Sequence, residues 1–111
     1  MDIRIAYRNH AEHTETLESH IRTKLGKVIA FLEHYREPIT IDVTVEGHPS
    51  HAHNSVHIHV LSPEFETVAQ REGKNLFALV DEVIHITHET LHAEKAKRVH
   101  DRKTSKTHRG T

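Results

Sequence analysis

Between Ile39 and Glu46 the chain alternates strictly: Ile39, Ile41, Val43 and Val45 are apolar, while Thr40, Asp42, Thr44 and Glu46 are polar. A period of two is that of an extended strand with one face buried and the other wet. A chain carrying this run must cover one side of a sheet and leave the other side in water, which points to two layers. Val56, Ile58 and Val60 alternate with His57 and His59 in the same way. They predict a strand whose aliphatic side chains enter the core and whose two histidines lie on the open face. Ile3, Ile5 and Tyr7, separated by Arg4 and Ala6, predict a shorter first strand. Residues 65–71 form a weaker fourth, in which Phe65, Thr67 and Ala69 compete with Val68 for the inward face.

Two segments carry the helical period instead. Leu17, Ile21, Leu25, Val28, Ile29 and Leu32 recur at steps of three and four behind Thr14, a suitable N-cap, and predict one helix of about five turns. Glu37-Pro38 stops it, because the residue before proline is pushed out of the α region. Asn75 caps a second, long helix with its core stripe on Leu76, Val80, Val83, Thr87 and Leu91. The order is β-α-β-β-β-α. Strands one and two, joined through a helix, are expected to be parallel with a right-handed crossover, and strands two to four to form an antiparallel meander. The predicted fold is an α+β two-layer sandwich: a four-stranded mixed sheet with both helices on one face.

With 111 residues there is room for one domain, placed at residues 1–98, followed by a basic tail at 99–111 expected to be irregular. The absence of cysteine excludes a disulfide framework, a thiolate metal site and a cysteine nucleophile. No apolar run approaches the roughly 18 residues of a membrane span, and Met1-Asp2-Ile3-Arg4 does not open a signal peptide. A cytoplasmic protein without membrane contact is expected. Charge is nearly balanced overall, at −1, but unevenly distributed. Residues 95–111 hold seven basic side chains and one acid, a local net of +6, against −7 for residues 1–94.

Histidine is the compositional oddity, with 14 residues. His88-Glu89-Thr90-Leu91-His92 is formally H-E-x-x-H, whose two imidazoles, one helical turn apart, bind zinc in metalloproteases with the glutamate as base. In so histidine-rich a chain, composition alone produces the string about 0.2 times. The chain also has no room for a protease's second helix and cleft, and Leu91 on the core stripe leaves both histidines on the side away from the sheet. Adventitious metal binding by His85, His88 and His92 is the lesser alternative to no metal at all. His57 and His59, with His48, His51 and His53 nearby, are read as solvated strand and loop positions. No nucleophile–base pairing, glycine-rich phosphate loop or aromatic RNA-binding motif is present, so no enzyme, cofactor or small-molecule substrate is expected. Lys24 and Lys27 project along one edge of the first helix with His20 on the same side, and Lys95 and Lys97 flank the second. Basic edges on adjacent helices suit a phosphate backbone.

Thr14-Glu15-Thr16-Leu17, Lys24-Leu25-Gly26-Lys27-Val28 and above all Glu72-Gly73-Lys74-Asn75-Leu76-Phe77-Ala78-Leu79-Val80-Asp81 resemble the ribosome hibernation-promoting factor family, also called ribosome-associated inhibitor or sigma-54 modulation protein. That family's second helix typically opens Glu-Gly-x-Asp-Met-Tyr-x-Ala-Ile-Asp. Glu72, Gly73, Asn75, Phe77, Val80 and Asp81 match it or replace it closely. The similarity spans about residues 1–98, stops before any second dimerisation domain and so corresponds to the short form. It implies the same β-α-β-β-β-α fold. It also implies a stationary-phase stress role: occupying the decoding region of the small ribosomal subunit, blocking tRNA and mRNA. Lys24 and Lys27 stand at family basic positions. On the second helix the family usually has Lys, Arg and Lys where this chain has Ile86, Glu89 and Ala93, leaving Lys97 one turn later and the tail.

The expected partner is therefore the small ribosomal subunit and its rRNA, contacted by Lys24, Lys27, Lys95, Lys97, Arg98, Arg102 and Lys103. His20, His88 and His92, and His100 and His108 in the tail, are expected to add pH-dependent contacts, since histidine with a pKa near 6.5 is about a quarter charged at pH 7 and about three quarters at pH 6. The alternative is a histidine-rich metal- or protein-binding module that shares the fold without binding ribosomes.

Overall fold

The computed structural model describes residues 1–9, 11, 14–48 and 53–109, with side chains described through Gly47 and from His53 to Arg98. Four strands, β1 (Asp2–Arg8), β2 (Thr40–His48), β3 (His53–Leu61) and β4 (Glu66–Gly73), form one sheet in the order β1-β2-β3-β4. β1 runs parallel to β2, and β2, β3 and β4 form the antiparallel meander.

Register follows the alternation. Ile41, Val43 and Val45 lie opposite Val60, Ile58 and Val56, and all six are essentially inaccessible to solvent. On the other face His57 lies between Thr44 and Gln70, and His59 between Asp42 and Val68, both histidines half-exposed. Pairing settles the frame of β4, because Val60 and Ile58 place Thr67 and Ala69 on the core face. Phe65, Thr67 and Ala69 retain 5%, 6% and 7% of their accessible surface, whereas Val68 retains 62%. The sequence left the two faces in competition, and the cross-strand partners decide between them.

The first helical segment is two helices, α1 (Glu15–Lys24) and α2 (Gly26–Leu32), not the single helix its stripe predicts. Thr14 caps α1 as expected, its hydroxyl accepting from Leu17 N at 3.1 Å. The joint falls at Leu25-Gly26, where glycine costs about 1 kcal/mol relative to alanine in a helix interior. Backbone bonds still bridge it, from Leu25 N to Ile21 O and from Ile29 N to Leu25 O, both 2.9 Å. The apolar stripe therefore remains continuous, with Leu17, Ile21, Leu25, Val28 and Leu32 all buried.

The last helix, α3 (Leu76–Arg109), buries Leu76, Val80, Val83, Thr87 and Leu91 as predicted, together with Leu79 and Ile84. Thr87 satisfies its hydroxyl by donating to Val83 O at 2.9 Å. α3 runs through residues 99–109, where the sequence pattern suggested an irregular tail. With no proline or glycine between Arg98 and Arg109, nothing local interrupts the backbone ladder. Side chains there, including Arg102, Lys103, His100 and His108, lie outside the described residues, as does His51. Among the described residues no helix is long and apolar enough to cross a membrane.

The assigned frame of β3 predicts a sharp contrast. Ile58→Ala is expected to lower unfolding stability by about 2–5 kcal/mol, whereas the neighbouring His57→Gln is expected to stay within about 0.5 kcal/mol. Urea denaturation of the two variants measures both.

Candidate nucleic-acid interface

Because α1, α2 and α3 cover the same face of the sheet, their flanks meet along a seam. His20 of α1 lies against the start of α3: its Nε2 is 2.8 Å from Asp81 Oδ1, and its ring packs edge-on against Phe77 at 5.0 Å. Farther along, Lys27 of α2 lies near enough to His88 to influence its protonation. Phe31 of α2 then meets His92 of α3, ring centroids 4.8 Å apart and edge to face. The helices thus run side by side in the same direction, pairing position 20 with 81, 27 with 88 and 31 with 92.

The far end of the seam holds an aromatic cluster. Phe31 stacks on Tyr35 at 5.5 Å and lies 5.6 Å from Phe65, while Tyr35 meets Phe65 edge-on at 4.8 Å. Two of the expected basic residues rest on these rings. Lys95 Nζ is 5.9 Å from the Phe31 centroid, and Arg98 Cζ is 5.1 Å from that of Phe65. Ring faces attract cations, which favours one placement of side chains that would otherwise sample many. Lys95 and Arg98 remain exposed and available to a ligand.

Lys27, His88, His92, Lys95 and Arg98 therefore share one surface. Lys24 is exposed at the end of α1, where a cation complements the helix dipole, and Lys97 is exposed on α3. His20 lies at the other end of the seam, where its Nε2 is engaged by Asp81. Of the positions where the resembled family carries cations, Ile86 is partly buried against the core, and Glu89 and Ala93 are exposed. The aromatic support for Lys95 and Arg98 was invisible to sequence reasoning, since Phe31, Tyr35 and Phe65 come from α2, the loop after it and the turn before β4.

His88 and His92, expected on the side of α3 away from the sheet, are half-buried and exposed respectively. One residue beyond Thr87 and Leu91 is about 100° around the helix, which aims them at the α2 flank rather than outward. Their Nε2 atoms are 3.1 Å apart. Partial burial, then the neighbouring His92 and Lys27, push the His88 pKa below the usual 6.5; His85 acts in the same direction and Glu89 opposes it. His85 stands outside the pair, its Nε2 3.9 Å from Glu89 Oε1. Among the described residues, no group of three or more His, Asp or Glu side chains converges as a metal site. On the sheet's open face, His59 Nε2 is 2.8 Å from Glu66 Oε2, and His53 Nε2 is 3.7 Å from Glu72 Oε2.

Nuclear magnetic resonance titration should find His88 protonating below pH 6.5, with His92→Gln and Lys27→Met each raising its midpoint. A depressed folded-state value means that the unfolded chain binds the proton more tightly. This group's effect on stability is absent well above pH 6.5 and becomes a loss as pH falls through 6.5 toward the folded midpoint. His88→Gln should correspondingly flatten the acid side of the stability profile.

Comparison with known proteins bears on this seam. The profile of the family described as sigma 54 modulation protein / S30EA ribosomal protein matches residues 3–99. The N-terminal domain of Protein Y from Thermus thermophilus is similar in structure, with a TM-score of 0.66 and 16% identity over 81% of this chain and 94% of that one. A ribosomal subunit interface protein from Coxiella burnetii is similar with a TM-score of 0.66 and 21% identity, over 86% of this chain and 99% of that one. At such identities these two likenesses establish the fold. A search of curated protein sequences finds no match. The match over residues 3–99, which takes in β2, β3, β4 and all but the first residue of β1, places the chain in the sigma-54 modulation protein / S30EA ribosomal protein family.

Proposed function

We propose that this protein is a non-catalytic ribosome hibernation factor. In this reading it binds the decoding region of the small ribosomal subunit, through rRNA phosphates, and blocks tRNA and mRNA during stationary phase and stress in the cytoplasm. Membership of a ribosome-associated family supports ribosome binding. The observation that carries the choice of surface is the gathering of Lys27, Lys95 and Arg98 on one exposed seam, two of them seated on aromatic rings. Guanidinium and ammonium groups held in this way meet a phosphate backbone with less side-chain ordering left to do. Lys24 and Lys97 extend the surface, and Arg102 and Lys103 belong to the proposed contacts by their place in the sequence.

Neutralising phosphates releases counterions, so binding is salt-dependent without being sequence-specific. Co-sedimentation with small subunits should weaken steeply as salt rises. The triple variant K27Q/K95Q/R98Q should bind more weakly and lower the salt slope by about one for each phosphate it leaves unneutralised. Equal binding and slope in wild type and variant, or no sedimentation with ribosomes at low salt, would remove the reading.

Histidine adds a pH dependence. His88 lies beside His92 and Lys27, with Glu89 and His85 on the same helix, and gains positive charge as pH falls through its lowered range. Binding to small subunits should tighten between pH 7.5 and 6 at fixed salt, with most of the change below 6.5 because His88 protonates late. The variant H88Q/H92Q should show a flatter profile. His20→Gln should retain the wild-type slope, because that imidazole already faces Asp81.

A further inference from the structure

We propose that His88 and His92 form a two-imidazole chelate for a transition-metal dication of the zinc or nickel type. Resting on the reading above, we add that its open coordination positions take an RNA phosphate oxygen. The facing atoms are the same nitrogen on each ring, and they stand 3.1 Å apart. Two nitrogens bound to one tetrahedral zinc at about 2.0–2.1 Å are about 3.3–3.4 Å apart. Adjacent ligands of a square-planar ion at the same bond length are about 2.8–3.0 Å apart. The observed separation falls between the two, so a small opening of the pair admits the ion.

The rings are already positioned for this. They lie one turn apart on α3, with centroids 4.4 Å apart and planes at 69°, and Phe31 packs against the edge of His92. Without metal, one Nε2 donates to the other; with metal, both protons must reside on Nδ1 so that both Nε2 lone pairs are free. Neutral imidazole is the ligand form, and Lys27, which disfavours protonation of His88, helps to keep it so above pH 7. Lys27 and Lys95 oppose a dication electrostatically, while Glu89 offsets them. Borderline metals are favoured here because imidazole binds them by coordination, whereas a hard ion such as Mg²⁺ prefers oxygen donors.

Two protein ligands leave at least two positions open, on the face that carries Lys27, Lys95 and Arg98. A phosphate oxygen and a water entering there complete a four-coordinate sphere. The glutamate of the H-E-x-x-H string is not a ligand and acts only through its charge; it lies beside His85 on the exposed side of α3.

Isothermal titration of the full chain with Zn²⁺ at pH 7.5 tests the site, with H88Q, H92Q, H88Q/H92Q and the sheet-face control H57Q/H59Q. Wild type and control should share one binding event that weakens at least roughly ten- to a hundredfold in each α3 variant, a scale that even the removal of an outer-shell partner produces. Helix content by circular dichroism should be the same in all five proteins. Persistence of the event in H88Q/H92Q, or its loss in H57Q/H59Q, overturns the chelate. Sedimentation with small subunits, with and without one equivalent of Zn²⁺, tests the phosphate clause. Zinc should increase wild-type binding and leave H88Q/H92Q unchanged. Zinc uptake with no change in sedimentation overturns the phosphate clause. Failure to sediment under any condition overturns the ribosome reading, while the titration decides the chelate independently.

Discussion

The pairing of β2 with β3 is the constraint on which the remaining structure depends. Three aliphatic pairs, Ile41 with Val60, Val43 with Ile58 and Val45 with Val56, put six solvent-free side chains on one face. A slip of one residue would drive His57, His59 or Asp42 into that layer, so register is strongly specified. β1 and β4 then attach as edges, and every helix must cover the single apolar face. Gly47 marks a close backbone approach: a Cβ there would sit 2.9 Å from Asn9 O and 3.1 Å from Ala11 Cα. Asn9 makes the approach with a positive φ of 52° and donates to Glu46 Oε1 at 2.7 Å. Asparagine tolerates that left-handed conformation better than most residues.

The seam is a consequence of that one-sided burial. Helices confined to one face lie next to one another, so residues on their adjoining flanks meet whatever their separation in sequence. Lys27 with His88 and Phe31 with His92 are such meetings. The aromatic cluster of Phe31, Tyr35 and Phe65 closes the end of the core and gives Lys95 and Arg98 a surface to rest on. The same rings therefore serve packing and charge display. In a chain whose net charge is −1, what distinguishes this region is concentration of cations rather than their number.

Histidine takes different roles in this protein according to its surroundings. His57 and His59 are half-exposed on the open sheet face, His59 against Glu66. His20 joins α1 to α3 through Asp81. His88 and His92 face one another on a cation-rich flank. Composition treats these side chains alike, but their partners give them separate chemistry.

Element order, sheet topology and most of the core could be read from the chain alone, because periods of two and 3.6 report directly which side of each element is buried. Thr14 as a cap, the inward faces of β2 and β3 and the stripe from Leu76 to Leu91 are all local patterns of this kind. The exposure of Lys24, Lys27, Lys95 and Lys97 on their helices was equally legible. Tertiary structure decided the rest. β4 offered two inward faces until Val60 and Ile58 selected Thr67 and Ala69. A continuous stripe concealed the joint at Gly26, because Ile21, Leu25 and Ile29 keep their spacing across it. His20 and Lys27 lie on one helical edge in sequence, yet Asp81 engages the first and His88 neighbours the second. Periodicity records which side of an element is buried; which element lies beside it depends on how the helices share the sheet, and that is set by contacts between residues far apart in the chain.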